Sequence, residues 1–121
     1  MALIADAVFD TALQVLTTNA DRIDVCSQEP TTYAEATSTY TLGNDAVTTG
    51  SPAAGDTDGR KVVVAAITAG SVTGSATVTH WALTNGTDTL YATGTVTPNE
   101  AVTSGETFSL DAITITIRDA T

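Results

Sequence analysis

The chain's single cysteine and single histidine are the residues whose types could support covalent chemistry. Cys26 lies in the stretch RIDVCSQEP, and His80 lies far downstream in THWAL. A thiolate activated by an imidazole is a common hydrolytic nucleophile, so the pair defines one hypothesis, a small hydrolase. Neither residue sits in a glycine-flanked nucleophile turn or another local catalytic motif. We therefore expect a packed cysteine, a strand histidine and no enzymatic activity.

A second possible site is the run Asp56-Thr57-Asp58-Gly59, which is similar to a fragment of a calcium loop. Calcium requires several oxygen ligands, and the full loop pattern needs further ligands and a distant bidentate glutamate. These are missing in register, although Asp45 could contribute from the same region. The sequence leaves calcium binding open here but favours a plain Asp-Gly turn, and we predict no metal site and no cofactor.

Other small-molecule chemistry lacks its usual motifs. The sequence contains no phosphate-binding loop and no dinucleotide fingerprint. Its six aromatic residues are too few for a sugar-binding platform beside paired carboxylates. We expect no small-molecule substrate.

The charge balance bears on the class of partner. Four Lys and Arg residues stand against 14 Asp and Glu residues, which gives a formal charge of -10. Nucleic acids are bound mainly through clustered Lys and Arg, and here the four cations are scattered along the chain. We therefore predict no nucleic-acid partner and a surface that repels anionic lipid.

The length of 121 residues fits one domain, residues 1–121, with a core that needs no disulfide. No apolar run approaches the roughly 20 residues that cross a bilayer, so we expect no membrane association. The start MALIADAVFDTAL lacks a basic region and contains two aspartates, which argues against a signal peptide. We expect a protein made in the cytoplasm of the cell that produces it.

One segment has a helical period. Apolar residues recur at steps of three and four in residues 2–18, which predicts an N-terminal helix ending near Asn19. Thr32 and Glu35 match a capping box and predict a helical turn over residues 32–37. Residues 43–59 lack apolar periodicity and are expected to form a long, mobile loop.

The rest of the chain alternates as strands do. Strands are predicted at 22–26, 40–42, 60–68, 71–83, 89–96, 107–110 and 112–118. Ala69-Gly70 is predicted as a tight turn, Asn85-Gly86 as a type I′ hairpin turn, and residues 98–106 as a loop. Trp81 and Tyr91 are expected to pair across adjacent strands. The fold class predicted is mainly β, an antiparallel β-sandwich or flattened barrel of five to seven strands with one N-terminal α-helix.

Four stretches carry a likeness to known proteins: CSQEPTTYAEATSTYTLG at 26–43, DGRKVVVAAIT, ATVTHWALTNGTDTLYATG and VTSGETFSLDAITITI. The sequence resembles small virion structural proteins of tailed bacteriophages, a group of head, neck and tail components. The resemblance implies localisation in the virion, partners among the capsid, neck or tail proteins, and many copies per particle.

Two functions follow from this resemblance. The first is a capsid decoration or neck-associated protein that binds the outside of the particle as a homo-oligomer such as a trimer. The alternative is a tail-fibre or tail-tip adhesin module that binds a host surface receptor. The residues expected to bind partners are the apolar helix face and two tyrosines, although the interior core is an equally good place for them: Val8, Phe9, Leu13, Leu16, Tyr33 and Tyr40.

Overall fold

The computed structural model describes residues 5–118, which contain one α-helix, one π-helical segment and nine strands. The helix α1 spans Asp6–Asn19, and the π-helix spans Glu35–Thr39. The strands are β1 Arg22–Cys26, β2 Thr41–Ala46, β3 Ala53–Ala54, β4 Arg60–Val64, β5 Ile67–Val72, β6 Ala76–Thr84, β7 Leu90–Val102, β8 Thr107–Leu110 and β9 Ile113–Ile117. Residues 2–4, which were predicted to begin the helix, lie outside the described residues.

The strands form two antiparallel sheets. The large sheet has six strands in the order β7-β6-β1-β2-β5-β8 and curls into a half-barrel, and the small sheet has the order β3-β4-β9. The predicted class, a mainly β fold with one N-terminal helix and the form of an antiparallel sandwich or flattened barrel, is confirmed. The nine strands exceed the seven predicted segments by two. One extra strand is β3, which lies inside the predicted loop, and the other arises because the segments predicted at 60–68 and 71–83 contain three strands, β4, β5 and β6.

The main core lies between the two sheets. In β9 the residues Ile113 and Ile115 pack against this core while Thr114 and Thr116 are exposed, as the alternation predicts. The large sheet supplies most of the other members, and Val64 of the small sheet joins them. The buried members are Ala20, Ile23, Val25, Leu42, Val64, Ile67, Val72, Val78, Leu83, Val102 and Phe108.

Helix α1 packs on the small sheet, where it contacts β4. An ion pair at 2.7 Å joins Asp10 Oδ1 to Arg60 Nε of that strand. The hydroxyl of Thr17 donates a hydrogen bond of 2.8 Å to the carbonyl oxygen of Gly50. The helix ends at Asn19, as predicted, and the N–H of Ala20 donates to Leu16 O.

The loop predicted at 43–59 is only partly correct: most of its residues are irregular, but short stretches of it are strand. Its first residues belong to β2, where Asp45 pairs with Ile23 of β1, and Ala53–Ala54 forms β3 against β4. The N–H of Gly50 also donates to Val63 O at 2.9 Å. Backbone pairing with neighbouring strands therefore orders a polar stretch that has no apolar period of its own.

The predicted strand at 60–68 is two strands in different sheets. The break falls at Ala65-Ala66, where the chain leaves the small sheet and enters the large one. Ala69-Gly70 is not a turn, because both residues lie inside β5. The predicted strand at 71–83 is likewise interrupted at residues 73–75, and β6 begins at Ala76.

The hairpin between β6 and β7 differs from the predicted type I′ turn, which requires positive φ at both central residues. Only Gly86 has it, with φ 73°, so the loop is longer and is organised by the Asn85 side chain. Asn85 Oδ1 accepts backbone N–H groups from Thr87, Asp88 and Thr89 at 2.9, 2.9 and 3.0 Å. After it, β7 continues to Val102, so most of the loop predicted at 98–106 is strand.

Residues 27–40, which we call the covering segment, connect β1 to β2 and contain the predicted helical turn. The hydroxyl of Thr32 accepts the Glu35 N–H at 3.1 Å, as in a capping box. The Glu35 carboxylate accepts from the N–H and hydroxyl of Thr31, both at 2.8 Å, one residue earlier than that motif requires. These bonds hold the pKa of Glu35 below its ordinary value.

Candidate functional site

Cys26 and His80, far apart in sequence, are direct cross-strand partners. Strand β1 pairs with β6 so that Cys26 stands opposite His80, on the face of the large sheet that lies beneath the covering segment. Directly opposed residues have Cβ atoms about 4.5–5.5 Å apart. Residue spacing alone does not indicate this proximity, because the pairing depends on strand order.

The two side chains are nevertheless not arranged for catalysis. The thiol is fully buried and donates to the carbonyl oxygen of Ala36 at 3.6 Å. Burial, and secondarily the charge of Asp24, raises the pKa of Cys26 to about 12. The thiol is therefore protonated at neutral pH and out of reach of a substrate, whereas a nucleophilic cysteine needs a thiolate and access.

The imidazole makes its contacts elsewhere. His80 Nδ1 lies 2.9 Å from the hydroxyl of Thr79, and Nε2 lies 3.7 Å from the carboxylate of Glu29. Within the part of the chain that the structure describes, no hydrogen bond joins this ring to the thiol of Cys26. The ring connects β6 to the covering segment and leaves the thiol without a general base.

A buried ion pair lies next to Cys26 on the same face. Asp24 is fully buried, and its carboxylate accepts hydrogen bonds from Arg22 Nε at 2.8 Å and Nη2 at 3.0 Å. The hydroxyl of Thr41 donates a third bond, at 2.7 Å. This cluster was not predicted from the sequence, although the spacing of Arg22 and Asp24 places both residues on one face of a strand.

The six residues predicted to bind partners occupy different environments. Phe9 and Leu13 are buried within the chain, and Leu16 is half-buried against the main core. Tyr33 and Tyr40 are half-buried in or beside the covering segment, where Tyr40 packs on the cluster of Cys26, Ala36 and Ala82. Val8 is 58% exposed, so it alone of the six presents most of its side chain to solvent.

The helix carries further exposed apolar residues that the sequence analysis did not select. Val15 is 43% exposed, and Ala12, between Val8 and Val15 on the same side, is also exposed. With Thr11 and Thr18 they form what we call the outer helix face. The broad apolar stripe is therefore two stripes. One, with Phe9, Leu13 and Leu16, faces the protein interior, and the other, the outer helix face, is exposed to solvent. The signal for the second was the seven-residue spacing of Val8 and Val15.

A groove of about 400 Å³ lies between β7 and the β8–β9 connection. Half-buried Trp81 lines it together with Val96, Leu110 and Ile113. The expected cross-strand pairing of Trp81 with Tyr91 is wrong, because the register places Gly94 opposite Trp81. A Cβ at Gly94 would lie 2.5 Å from the indole, so the absence of a side chain there accommodates the ring.

In the acidic run Asp56–Gly59, predicted to be a turn or a calcium site, the two aspartates form ion pairs with Lys and Arg side chains. Asp56 pairs with Lys61, and Asp58 pairs with Arg118. Asp45 lies in β2, where its carboxylate accepts the N–H of Ala46 at 2.9 Å. Within residues 5–118, no group of three or more His, Cys, Asp or Glu side chains could hold a metal ion.

Every Lys and Arg in the chain pairs with a carboxylate. The pairs are Arg22–Asp24, Arg60–Asp10, Lys61–Asp56 and Arg118–Asp58. Four of the 14 acidic residues are neutralised in this way, which leaves the net charge of -10 on the others. The paired cations form no cluster of the kind that binds phosphate backbones.

Comparison with known proteins adds no relative: no family model, no curated protein and no solved structure matches the chain. None of the helices in the described part of the chain has both the length and the apolar character that crossing a membrane requires.

Proposed function

We propose that this chain is a non-enzymatic structural protein of a tailed-bacteriophage virion. Its role is capsid decoration or neck association, in which it binds the outside of the particle and stabilises it. Its partners are capsid, neck or tail proteins and further copies of itself. It binds no nucleic acid, membrane, cofactor or small-molecule substrate.

The observation that carries the proposal is the contrast between enclosed reactive groups and exposed apolar ones. The Cys26 thiol is fully buried with a pKa of about 12, whereas Val8 is 58% exposed on a helix. An enzyme that used Cys26 as its nucleophile would need the opposite arrangement, with the thiol ionised and at an open site. A protein whose thiol is buried and whose apolar side chains are exposed is suited to binding other proteins.

The charge distribution supports the same proposal. The cations are occupied by carboxylates of the same chain, and the remaining acids give the surface a strongly negative potential. Such a surface repels packaged DNA and keeps the protein soluble until it meets its particle. The phrases of sequence that resemble phage virion proteins span most of the chain.

Stabilisation of a particle by such a protein requires no chemical step. A protein that binds an assembled shell, and not its free subunits, shifts the assembly equilibrium toward the shell by mass action. Its effect grows with its concentration and affinity, so binding across junctions between shell subunits accounts for the whole function.

The experiment is a deletion followed by add-back. Particles that lack the protein should bind the purified chain on co-sedimentation and should then withstand a higher temperature before they release DNA. Particles that already contain the protein are the control and should bind no more of it, because their sites are occupied. Absence of binding to depleted particles would overturn the proposal, and binding to host cell envelope instead would favour the tail adhesin.

A further inference from the structure

The groove beside Trp81 owes one of its walls to an irregularity in β7. Four residues of β7, 96–99, stand against the single residue Thr79 of β6. Such a bulge bends its strand, and bulges are over-represented next to active sites. This part of β7 forms one wall of the groove, and residues 109–113, from the end of β8 to the start of β9, form the other.

The groove combines a half-buried apolar lining with exposed carboxylates. Its apolar lining includes the indole of Trp81 together with Val96 and Leu110, all half-buried. The carboxylates belong to Glu100 in the β7 wall and to Asp111 in the opposite wall, and both residues are exposed. A ligand that fills the groove therefore meets apolar surface and a negative charge from each side.

Neither of these carboxylates has a partner among residues 5–118. Glu100 and Asp111 form no hydrogen bond or ion pair with another described residue, and the described residues that line the groove include no Lys, Arg or His. Like charges that line one cleft reinforce each other's potential and attract a cation. All four Lys and Arg side chains of the chain are held by its own carboxylates. A second copy of the chain therefore brings no unpaired Lys or Arg to the groove, and the cation comes from a different protein.

An arginine side chain matches this combination of surfaces. Its methylene stem packs on apolar surface while its charged head stays near water. The guanidinium stacks on aromatic rings, offers several N–H donors to carboxylates and is more weakly hydrated than the ammonium of lysine. A neutral apolar segment in the same place would cover the two carboxylates without compensating their charge, which costs free energy.

We propose that the groove beside Trp81 binds an arginine side chain of a partner protein, with the stem against the apolar lining and the guanidinium between Glu100 and Asp111. The inference deepens the proposed function by naming the chemistry of the partner's surface, and it rests on that function for the partner being a virion protein. Binding of arginine in the groove can be measured without the particle.

Trp81 is the only tryptophan of the chain, so tryptophan fluorescence reports on this groove alone. Titration of the full chain with the blocked tripeptide Ac-Gly-Arg-Gly-NH2 should change the emission saturably. Added NaCl should weaken the binding, because it screens the exposed carboxylates. The same peptide with citrulline in place of arginine keeps the shape and loses the charge, and it should bind more weakly by about fivefold or more.

Substitution of single acids tests where the attraction arises. Glu100→Gln and Asp111→Asn should each weaken binding of the arginine peptide by about two- to fivefold, the effect of one exposed ion pair. Asp21→Asn is the matched control, because Asp21 is exposed in the connection between α1 and β1 and does not line the groove. This change removes the same charge from the chain and should leave the affinity unaltered. Circular dichroism checks that each variant remains folded.

Three results would overturn the inference: no saturable response, equal binding of the arginine and citrulline peptides, or an equal loss of affinity in Asp21→Asn, which would trace the attraction to the net charge of the chain. An emission change on dilution of the chain alone would assign the groove to a second copy and overturn it too. Binding to depleted particles is a separate measurement. Particle binding without peptide binding removes only the groove, and peptide binding without particle binding removes only the virion role.

Discussion

Arg22 forms a bidentate ion pair with the buried carboxylate of Asp24, in which Nε lies 2.8 Å from Oδ1 and Nη2 lies 3.0 Å from Oδ2. The two residues stand two positions apart on β1, on the face that the covering segment protects. The hydrogen bonding of the Arg22 guanidinium to the Asp24 carboxylate raises the pKa of Arg22. The hydroxyl of Thr41 in β2 donates a third hydrogen bond to the same carboxylate, so the cluster joins two neighbouring strands.

Removal of this charge should destabilise the fold. We expect Asp24→Asn to lower the free energy of unfolding by about 2–4 kcal/mol, because it leaves the guanidinium and the Thr41 hydroxyl poorly matched; breaking a buried pair typically costs about 3–5 kcal/mol, and partial exposure of Arg22 reduces this. Asp56→Asn removes an exposed pair and should cost less than about 1 kcal/mol. Urea titrations of both variants measure the difference, and equal effects would contradict the assignment.

The thiol of Cys26 should be inert in the folded protein. With the thiol fully buried and its pKa at about 12, we expect iodoacetamide at pH 8 to leave the native chain unmodified and to alkylate it quantitatively once urea unfolds it. Intact-mass spectrometry over time follows the reaction. Rapid alkylation of native protein, at a rate independent of unfolding, would show an accessible thiolate and revive the hydrolase hypothesis.

Gly70 is needed because the Phe108 ring leaves no room for a side chain, and not because its backbone conformation requires glycine. It stands opposite Phe108 in the β5–β8 ladder, and a Cβ there would lie 2.2 Å from the ring. Gly70→Ala should therefore displace a core aromatic and cost about 1–3 kcal/mol. Gly50→Ala is the control, since its Cβ would lie 3.5 Å from Val63 O, an ordinary contact, and its stability should be unchanged or slightly raised. Thermal unfolding of both variants measures the two effects. A Gly70→Ala variant as stable as the wild type would contradict this packing.

Glu35 should contribute to stability in a pH-dependent way. Its hydrogen bonds from Thr31 hold the folded pKa below the ordinary value of about 4.3, so the unfolded chain binds more protons in that range. The contribution is fully present above the unfolded pKa and is lost as the pH falls through the lower folded pKa. The stability difference between wild type and Glu35→Gln should shrink correspondingly on acidification. An NMR titration that places the Glu35 pKa at or above its ordinary value would refute this.

The sequence predicted the fold best where apolar alternation was strong. β1 and β8 have the predicted bounds, and the isoleucines of β9 pack on the core as expected. The predictions failed where a strand depends on its neighbours. β2 extends through Asn44 and Asp45 because β1 pairs with them, and β5 runs through Ala69-Gly70 because Phe108 covers the glycine. Pairing partners are tertiary information, which local patterns do not carry.

The candidate binding surfaces also depend on tertiary contacts that the sequence pattern does not carry. An apolar helix stripe was correctly recognised, but its division into an inward side with Phe9 and Leu13 and an outward side with Val8 and Val15 depends on how α1 packs on β4. The proximity of Cys26 to His80 and the burial of Asp24 depend on strand order and on the covering segment. Such relations between distant parts of a chain are absent from its residue spacing.

The number of copies of this chain in a purified virion tests the central claim most directly. Quantitative mass spectrometry against the major capsid protein should give hundreds of copies per particle, as decoration of a shell requires. A handful of copies would contradict decoration and restrict the proposal to neck association, with the tail adhesin as the alternative. Its absence from the particle would contradict the proposal that it is a virion protein.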